Sequence, residues 1–283
     1  MKALITAADL LQQLRSNAFP VLLDCSFELA DTEAGQRAWR DGHLPGAQYV
    51  HLDRDLAGSK HDASGRFRGR HPLPERDVFA CRLGELGITP TSVVICYDAQ
   101  GGPYASRAWW LLRWMGHTGV ALLDGGPLAW REAGGTLTSD VPAPHAAPPY
   151  PAMAPAMPTI EADALLARLG RTPLIDARAG ERFRGEVEPL DHAAGHIPGA
   201  RNRFFKDNLA PDGRFKSAAA LRAEWLPLLA GSDASQVIQQ CGSGVTACHN
   251  LLALAHAGLG DSVLYAGSWS EWSAGPARPQ ARG

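Results

Sequence analysis

The sequence predicts an α/β protein with two similar domains in tandem, each a mainly parallel sheet flanked by helices on both faces. Short apolar runs alternate with helical patterns along the whole chain, which is typical of parallel strands joined by helical crossovers. Segments of the first half also recur, in the same order, in the second half. A proline-rich stretch separates the two copies, and 283 residues suit two domains that each bury a core.

The duplication is visible in two pairs of segments. Leu22-Leu23-Asp24 recurs as Leu174-Ile175-Asp176, and the hexapeptide GHLPGA at 42–47 recurs as GHIPGA at 195–200. Such self-similarity indicates repeated structural units. Residues 141–151 contain five prolines, which exclude a helix or a central strand. We therefore predict domains at 1–141 and 159–283, joined by an extended linker at 142–158.

Apolar runs and helical periodicity place the elements of the first copy in order. Thr6 is predicted to cap a helix, with Asp9 in its first turn and leucines along one face. A second helix is predicted at 105–115, where three tryptophans indicate packing in a core or between domains. Four runs are predicted as strands: 21–24, 48–52, 93–98 and 120–124.

Composition and charge exclude several classes of function. The net charge of −2 provides no basic surface, so nucleic acid is not an expected partner. No apolar run reaches the roughly 18 residues of a membrane span. The N-terminal residues also lack the apolar core of a signal peptide, so we expect no membrane contact and a cytoplasmic location. Five cysteines without a C-x-x-C pair argue against a disulfide framework and a zinc site, and no metal or organic cofactor is expected.

The most informative segment begins at Cys241. It follows the apolar pair Val237-Ile238 and leads into a helical pattern, so a strand, a tight loop and a helix are predicted. Glycines in the loop can adopt positive φ, which allows backbone N–H groups to point at the sulfur and stabilise an anion. Cys241 is therefore the candidate nucleophile, whereas Cys248, inside the helical pattern, is expected to be inert. The expected anion-binding loop consists of Gly242, Ser243, Gly244, Val245 and Thr246.

Three interpretations compete for Cys241. A buried structural cysteine is common, but it does not explain the two glycines and two hydroxyls in the next five residues. A phosphatase loop would carry an arginine six residues after the cysteine to bind phosphate with two hydrogen bonds, and Ala247 stands there. A neutral loop of amides is better suited to a smaller charge, such as a persulfide sulfur carried on Cys241.

The residues from Cys241 to Ala247, CGSGVTA, resemble the active loop of the 3-mercaptopyruvate sulfurtransferase type within the rhodanese superfamily. Thiosulfate-preferring rhodaneses typically carry basic residues at the positions of Gly242 and Ser243. The resemblance covers nearly the whole chain and implies two tandem rhodanese-like domains with a ping-pong sulfur transfer from 3-mercaptopyruvate. The implied acceptor is cyanide, a small thiol or a thioredoxin-like protein. A thiosulfate:cyanide sulfurtransferase, and a persulfide carrier that serves a protein partner, stay open as alternatives.

The alignment of the two copies places Asp98 where the second copy has Cys241. The first domain therefore holds an acid instead of the nucleophile. We expect it to be catalytically silent, an asymmetry that tandem rhodaneses share.

Three arginines follow the segment Leu174-Ile175-Asp176-Ala177, just beyond a predicted strand end, and are candidates for binding a donor carboxylate: Arg178, Arg182 and Arg184. The resemblance selects Arg182, because similar enzymes hold the substrate carboxylate with the first arginine of an Arg-Phe pair. Similar enzymes commonly have a second arginine in the segment that follows, but residues 186–192 contain none. We therefore predict Arg182 and Arg184 as the substrate-binding arginines, with Arg178 as a further candidate.

The resemblance also implies a proton-handling array of Asp53, His71 and Ser243, in which the aspartate and the histidine come from the first domain. His43 and His196 belong to the two GHxPGA segments. Because both copies contain this histidine and only one contains the nucleophile, we expect His43 and His196 to stabilise turns.

Overall fold

The computed structural model describes residues 1–16, 19–143, 145–151 and 153–283. The chain forms two compact units. The first consists of Met1–Ala57, Pro74–Ala156 and Pro211–Phe215. The second consists of Gly58–Leu73, Met157–Ala210 and Lys216–Gly283. The bounds predicted from the sequence are 1–141 and 159–283. In the structure, residues 58–73 belong to the second unit and residues 211–215 belong to the first.

The first unit contains a five-stranded sheet in which every pair of neighbours is parallel. The strand order is β1-β5-β4-β2-β3. The strands are β1 Leu4–Ile5, β2 Val21–Asp24, β3 Gln48–Tyr49, β4 Val94–Tyr97 and β5 Val120–Leu123. The helices are α1 Ala7–Arg15, α2 Ala34–Asp41, α3 Leu52–Asp55, α4 Arg76–Glu85, α5 Pro103–Trp114 and α6 Gly126–Glu132.

The second unit contains a four-stranded parallel sheet with the order β7-β6-β8-β9. Its strands are β6 Leu174–Asp176, β7 Ala200–Asn202, β8 Ile238–Gln240 and β9 Val263–Leu264. Its helices are α7 Ala162–Leu166, α8 Gly180–Arg184, α9 Ala218–Leu229, α10 Thr246–His256 and α11 Ser268–Ala274, with short 3₁₀ turns at Phe205–Asn208 and Ala234–Gln236. The order β5-β4-β2-β3 of the first sheet recurs as β9-β8-β6-β7 in the second, so the predicted fold class is confirmed.

The predicted strand at 48–52 is wrong in its second half. Strand β3 ends at Tyr49, and α3 begins at Leu52. The reason is local, because the ring Nδ1 of His51 accepts the backbone N–H of Asp53 at 3.1 Å and thereby caps the helix. The cap predicted at Thr6 is confirmed, since its hydroxyl accepts the backbone N–H of Asp9.

Each unit has its own apolar core between its sheet and its helices. In the first unit the core includes Leu10, Ile95 and Trp130. In the second it includes Ile238 and Trp272, so β8 is buried directly before the loop that begins at Cys241. No helix among the described residues is both long and apolar enough to cross a bilayer.

Candidate active site

Cys241 lies directly after β8, an inner strand between β6 and β9. The cysteine is buried, with 1% of its surface exposed, and α10 begins shortly afterwards at Thr246. All neighbouring strands are parallel, so their carboxyl ends lie at the same edge of the sheet. Ligands of open parallel sheets bind at this edge. The residues around Cys241, including Arg70 and His71, belong to the second unit.

The peptide groups that follow Cys241 turn their carbonyls towards α11. The N–H of Trp269 donates to the carbonyl of Cys241 at 3.0 Å, and the N–H of Ser270 donates to that of Gly242 at 2.9 Å. In a trans peptide the C=O and N–H point in opposite directions. The N–H groups of Gly242 and Ser243 therefore face away from α11. Neighbouring N–H groups with a common direction favour an anion.

Two further residues fix the shape of this loop. The N–H of Cys241 donates to the Ser268 hydroxyl at 3.1 Å, and that hydroxyl donates to the carbonyl of Tyr265 at 2.9 Å. Ser268 adopts a φ of 53°, which is uncommon outside glycine. Gly244 has a φ of 75°, and a Cβ there would lie 2.3 Å from the carbonyl oxygen of Ala266, so only glycine fits.

Two guanidinium groups lie against the backbone of Gly242. A Cβ at Gly242 would lie 2.9 Å from Nη2 of Arg70 and 3.4 Å from Nη1 of Arg182. Among the described residues, the buried Nε atoms of these two arginines have no hydrogen-bond partner. The loop after Cys241 is thus bordered by two cations with N–H donors available for an anion.

Two buried carboxylates hold these arginines in place. Asp191 bridges them, because Oδ1 accepts from Nη1 of Arg70 and Oδ2 accepts from Nη2 of Arg182. Glu188 accepts from the same Nη2 of Arg182 at 2.7 Å. Burial lowers the pKa of Arg70, and the nearby positive charge of Arg182 lowers it further. Without the two acids the guanidinium groups would repel each other in a partly desolvated site.

His71 and Ser243 form a direct contact. The ring Nδ1 of His71 lies 2.8 Å from the hydroxyl oxygen of Ser243, and both residues are buried. The direction of this hydrogen bond depends on the tautomer of the ring. The structure therefore brings together two members of the expected proton-handling array, within one residue of the backbone of Gly242.

Arg178 has a different role from Arg182. Its guanidinium is buried and donates to both carboxylate oxygens of Asp176 and, at 2.8 Å, to the carbonyl of Gly195. The same group stacks on the ring of Trp269, 4.9 Å from its centroid. Arg178 therefore ties the end of β6 to α11, which is a structural role.

Two stretches of the chain, residues 6–133 and 161–275, match the model of the rhodanese-like domain family. The chain belongs to this family. A Pseudomonas aeruginosa protein named "Probable 3-mercaptopyruvate sulfurtransferase" is 45% identical over 99% of this chain and 98% of its own length. A thiosulfate sulfurtransferase of Cricetulus griseus is 34% identical over 96% of this chain and 92% of its own. The solved structure of the 3-mercaptopyruvate sulfurtransferase from Leishmania major superposes with a TM-score of 0.84 at 28% identity, covering 96% of this chain and 74% of that one.

The first rhodanese-like repeat holds a carboxylate where the second holds Cys241. Asp98 directly follows β4, and its side chain is buried in a ring of backbone amides. Burial raises the pKa of Asp98, whereas the amide hydrogen bonds oppose that rise. The donors are the N–H groups of Gln100, Gly102, Tyr104 and Ala105, at 2.8 to 2.9 Å. This loop binds an anion of its own chain, which is a physical reason to predict a silent repeat.

The remaining predicted site residues are placed as follows. Arg184 lies on the same short helix as Arg182, but its side chain is 49% exposed and is paired with Glu186. Asp53 lies at the start of α3 in the first unit. Val245 is buried and Thr246 is half-buried at the first turn of α10. The roles of Asp53, Arg184, Val245 and Thr246 in binding or catalysis stay predictions.

Other sequence-based expectations agree with the contacts. The thiol of Cys248 is fully buried inside α10 and donates to the carbonyl of Gly244 at 3.3 Å. His43 stacks on Trp39, and His196 stacks on Phe183. Both histidines also contact backbone carbonyls through their ring nitrogens, as turn-stabilising residues do.

Sequence reasoning missed Arg70, Asp191 and Ser268. Arg70 directly precedes His71, and an arginine next to a candidate catalytic histidine was the one signal that pointed to it. The segment that contains Asp191 lacks an arginine, and nothing else in its sequence indicates a role in the site. Ser268 follows a glycine after β9, and nothing in the pattern of residues indicates a left-handed backbone there.

Proposed function

We propose that this rhodanese-like protein is a sulfurtransferase that takes sulfur from 3-mercaptopyruvate, carries it as a persulfide on Cys241 and passes it to a thiol or cyanide. One observation carries the proposal. A buried cysteine opens a neutral amide loop, and two guanidinium groups border that loop at Gly242. The donor needs a nucleophile for its sulfur and cations for its carboxylate, and both lie at the same strand end.

The first half-reaction forms the persulfide. The Cys241 thiolate attacks the sulfur of the donor, the carbon–sulfur bond breaks, and its electron pair leaves with the carbon as the enolate of pyruvate. The proton of the donor thiol then moves to the enolate carbon, which releases pyruvate and leaves an anionic persulfide on Cys241. Loop N–H groups of Gly242 and Ser243 favour this negative charge.

The second half-reaction returns the enzyme to its starting state. A thiolate or cyanide attacks the outer sulfur of the persulfide, and the sulfur–sulfur bond breaks with its electron pair on Cys241. The acceptor leaves as a persulfide or as thiocyanate. We propose small thiols, cyanide and thioredoxin-like proteins as acceptors.

We assign donor binding to Arg182 together with Arg70. The second arginine that similar enzymes carry in the following segment is replaced here by an arginine from another part of the chain. His71 and Ser243, 2.8 Å apart, are suited to moving the donor proton between sulfur and carbon. Asp53 remains the third proposed member of this array.

The reactive thiol requires a reducing environment. No disulfide joins any of the five cysteines, all of which lie in the described part of the chain, and one of them, Cys81, is exposed. Exposed free thiols persist in the cytoplasm, where disulfides are rare. We therefore propose a cytoplasmic location.

A thiosulfate sulfurtransferase is the second candidate. Two guanidinium groups beside Gly242 offer hydrogen-bond donors to an anionic donor of either kind, and the Cricetulus griseus relative has this activity in its name. A persulfide carrier would load Cys241 but would not turn over with small acceptors.

Comparison of the two donors tests the proposal. Purified protein is given 3-mercaptopyruvate or thiosulfate with the same cyanide concentration, and release of pyruvate or sulfite is measured together with thiocyanate. The proposal predicts a higher kcat/KM for 3-mercaptopyruvate. A higher value for thiosulfate supports the second candidate, and single-turnover loading without thiocyanate supports the carrier.

A further inference from the structure

Asp191 occupies an unusual position in the cluster of charged side chains beside the cysteine loop. Its side chain is only 2% exposed, and its two carboxylate oxygens bind different arginines, Arg70 and Arg182. Glu188 accepts the backbone N–H of Asp191 at 3.2 Å and so holds this bridging residue in place. A carboxylate fixed between two cations is part of the construction of the site.

Asp191 contacts each arginine through the terminal nitrogen that lies farther from Gly242. Arg70 binds Asp191 through Nη1, whereas its Nη2 is the atom nearest Gly242. Arg182 binds both acids through Nη2, which would lie 3.7 Å from a Cβ at Gly242, whereas its Nη1 would lie somewhat closer, at 3.4 Å. Each guanidinium is therefore held by an acid through one terminal nitrogen and has its other terminal nitrogen closest to the loop, where a donor anion would bind.

The charges of the cluster balance. Three guanidinium groups face three carboxylates, and no side chain among them is more than 20% exposed. The cations are Arg70, Arg178 and Arg182, and the anions are Asp176, Glu188 and Asp191. These charges cancel even before the Cys241 thiolate of the proposed mechanism is counted, so a donor enters a site that has hydrogen-bond donors but no excess positive charge.

We infer that Asp191 determines the charge of the donor that this site accepts, and restricts it to singly charged anions. This inference rests on the proposed function. A monocarboxylate gains hydrogen bonds from both arginines and adds one charge to a balanced cluster. A dianion such as thiosulfate loses more hydration and finds no uncompensated cation, so it binds less well. Removal of the Asp191 charge leaves one free positive charge, whose attraction for a dianion is twice that for a monoanion.

The test compares Asp191→Asn with the wild type, using both donors and cyanide as the common acceptor. The ratio of kcat/KM for thiosulfate to that for 3-mercaptopyruvate should rise about ten-fold, which corresponds to about 1.4 kcal/mol. Glu186→Gln is the matched control, because it removes the same charge from the same segment. Its carboxylate is exposed and paired only with Arg184 among the described residues, so the ratio should not change.

A role of Asp191 in positioning alone would give a different result. In that case Asp191→Asn lowers kcat/KM for both donors equally and leaves the ratio unchanged, which overturns the inference. Asp191→Glu keeps the charge but alters the geometry, so it should keep the wild-type ratio whatever activity it loses. If Asp191→Asn fails to fold, as judged by circular dichroism, Glu188→Gln replaces it and should shift the ratio in the same direction.

Failure of the proposed function is recognised separately. If the wild type releases no pyruvate from 3-mercaptopyruvate, the proposed donor is wrong. The preference of the site for singly charged anions is then tested by calorimetric measurement of its affinities for pyruvate and sulfate. Asp191→Asn should bind sulfate more tightly relative to pyruvate than the wild type does. An unchanged relative affinity would overturn the inference even then.

Discussion

Replacement of Arg182 by alanine tests the donor site most specifically. The side chain is 18% exposed, and its Nη1 would lie 3.4 Å from a Cβ at Gly242, beside the cysteine loop. The change removes charge-assisted hydrogen bonds to the donor carboxylate, which contribute on the order of 1.5–3 kcal/mol. Glu188 and Asp191 keep contacts with Arg178 and Arg70, so the fold should tolerate the change.

The expected loss in kcat/KM for 3-mercaptopyruvate is about ten-fold to a hundred-fold. It should appear mainly in KM if the carboxylate is held equally in the ground and transition states. Pyruvate release over a range of donor concentrations measures both constants.

Arg184→Ala is the matched control for this experiment. Arg184 lies on the same short helix, but it is exposed and its ion pair with Glu186 contributes little to stability. The expected change in kcat/KM is therefore at most about two-fold. A ten-fold loss in Arg184→Ala together with near-normal Arg182→Ala would refute the assignment and move the carboxylate contact by two residues.

Three further outcomes are expected. Arg178→Ala should lower the free energy of unfolding by about 3–5 kcal/mol in urea titrations, because Asp176 is left buried and unpaired; an unchanged midpoint would contradict its structural role. Asp98→Ala should destabilise the first repeat, since four amides lose their acceptor, yet should leave persulfide loading of the folded protein intact, and loss of loading would argue against a silent repeat. Burial raises the pKa of Glu271 above its usual 4.5, so its contribution to stability is present below that pH and is lost as the pH rises through the raised pKa. The midpoint temperature of thermal unfolding should therefore decline less with rising pH for Glu271→Gln than for the wild type. Parallel pH dependences of the two proteins would exclude this effect.

The fold and the position of Cys241 at the end of a buried strand could be predicted because their signals are local. Apolar runs mark the buried strands, and the glycines after Cys241 mark a tight loop with a positive φ, as at Gly244. The repeat predicted the tandem arrangement, because two copies of one sequence pattern are expected to fold with the same topology.

The cluster of charged and polar residues beside the cysteine loop could not be predicted in the same way, because its members are distant in the sequence. Arg70 and Asp191 are 121 positions apart, and His71 and Ser243 are 172 apart. Hydrophobic periodicity carries no information about such polar pairs. The sequence alone does not distinguish Arg184 from Arg182. The two arginines lie on one short helix and differ only in the partners that the fold brings to them.

The central claim is that Cys241 carries the transferred sulfur. The protein is treated with 3-mercaptopyruvate without an acceptor, and its peptides are analysed by mass spectrometry under non-reducing conditions. We predict one added sulfur atom on the Cys241 peptide, released on addition of cyanide, with Cys248→Ser as the control that loads normally. Loading that persists in Cys241→Ser, or sulfur found on another cysteine of the wild type, would contradict the account.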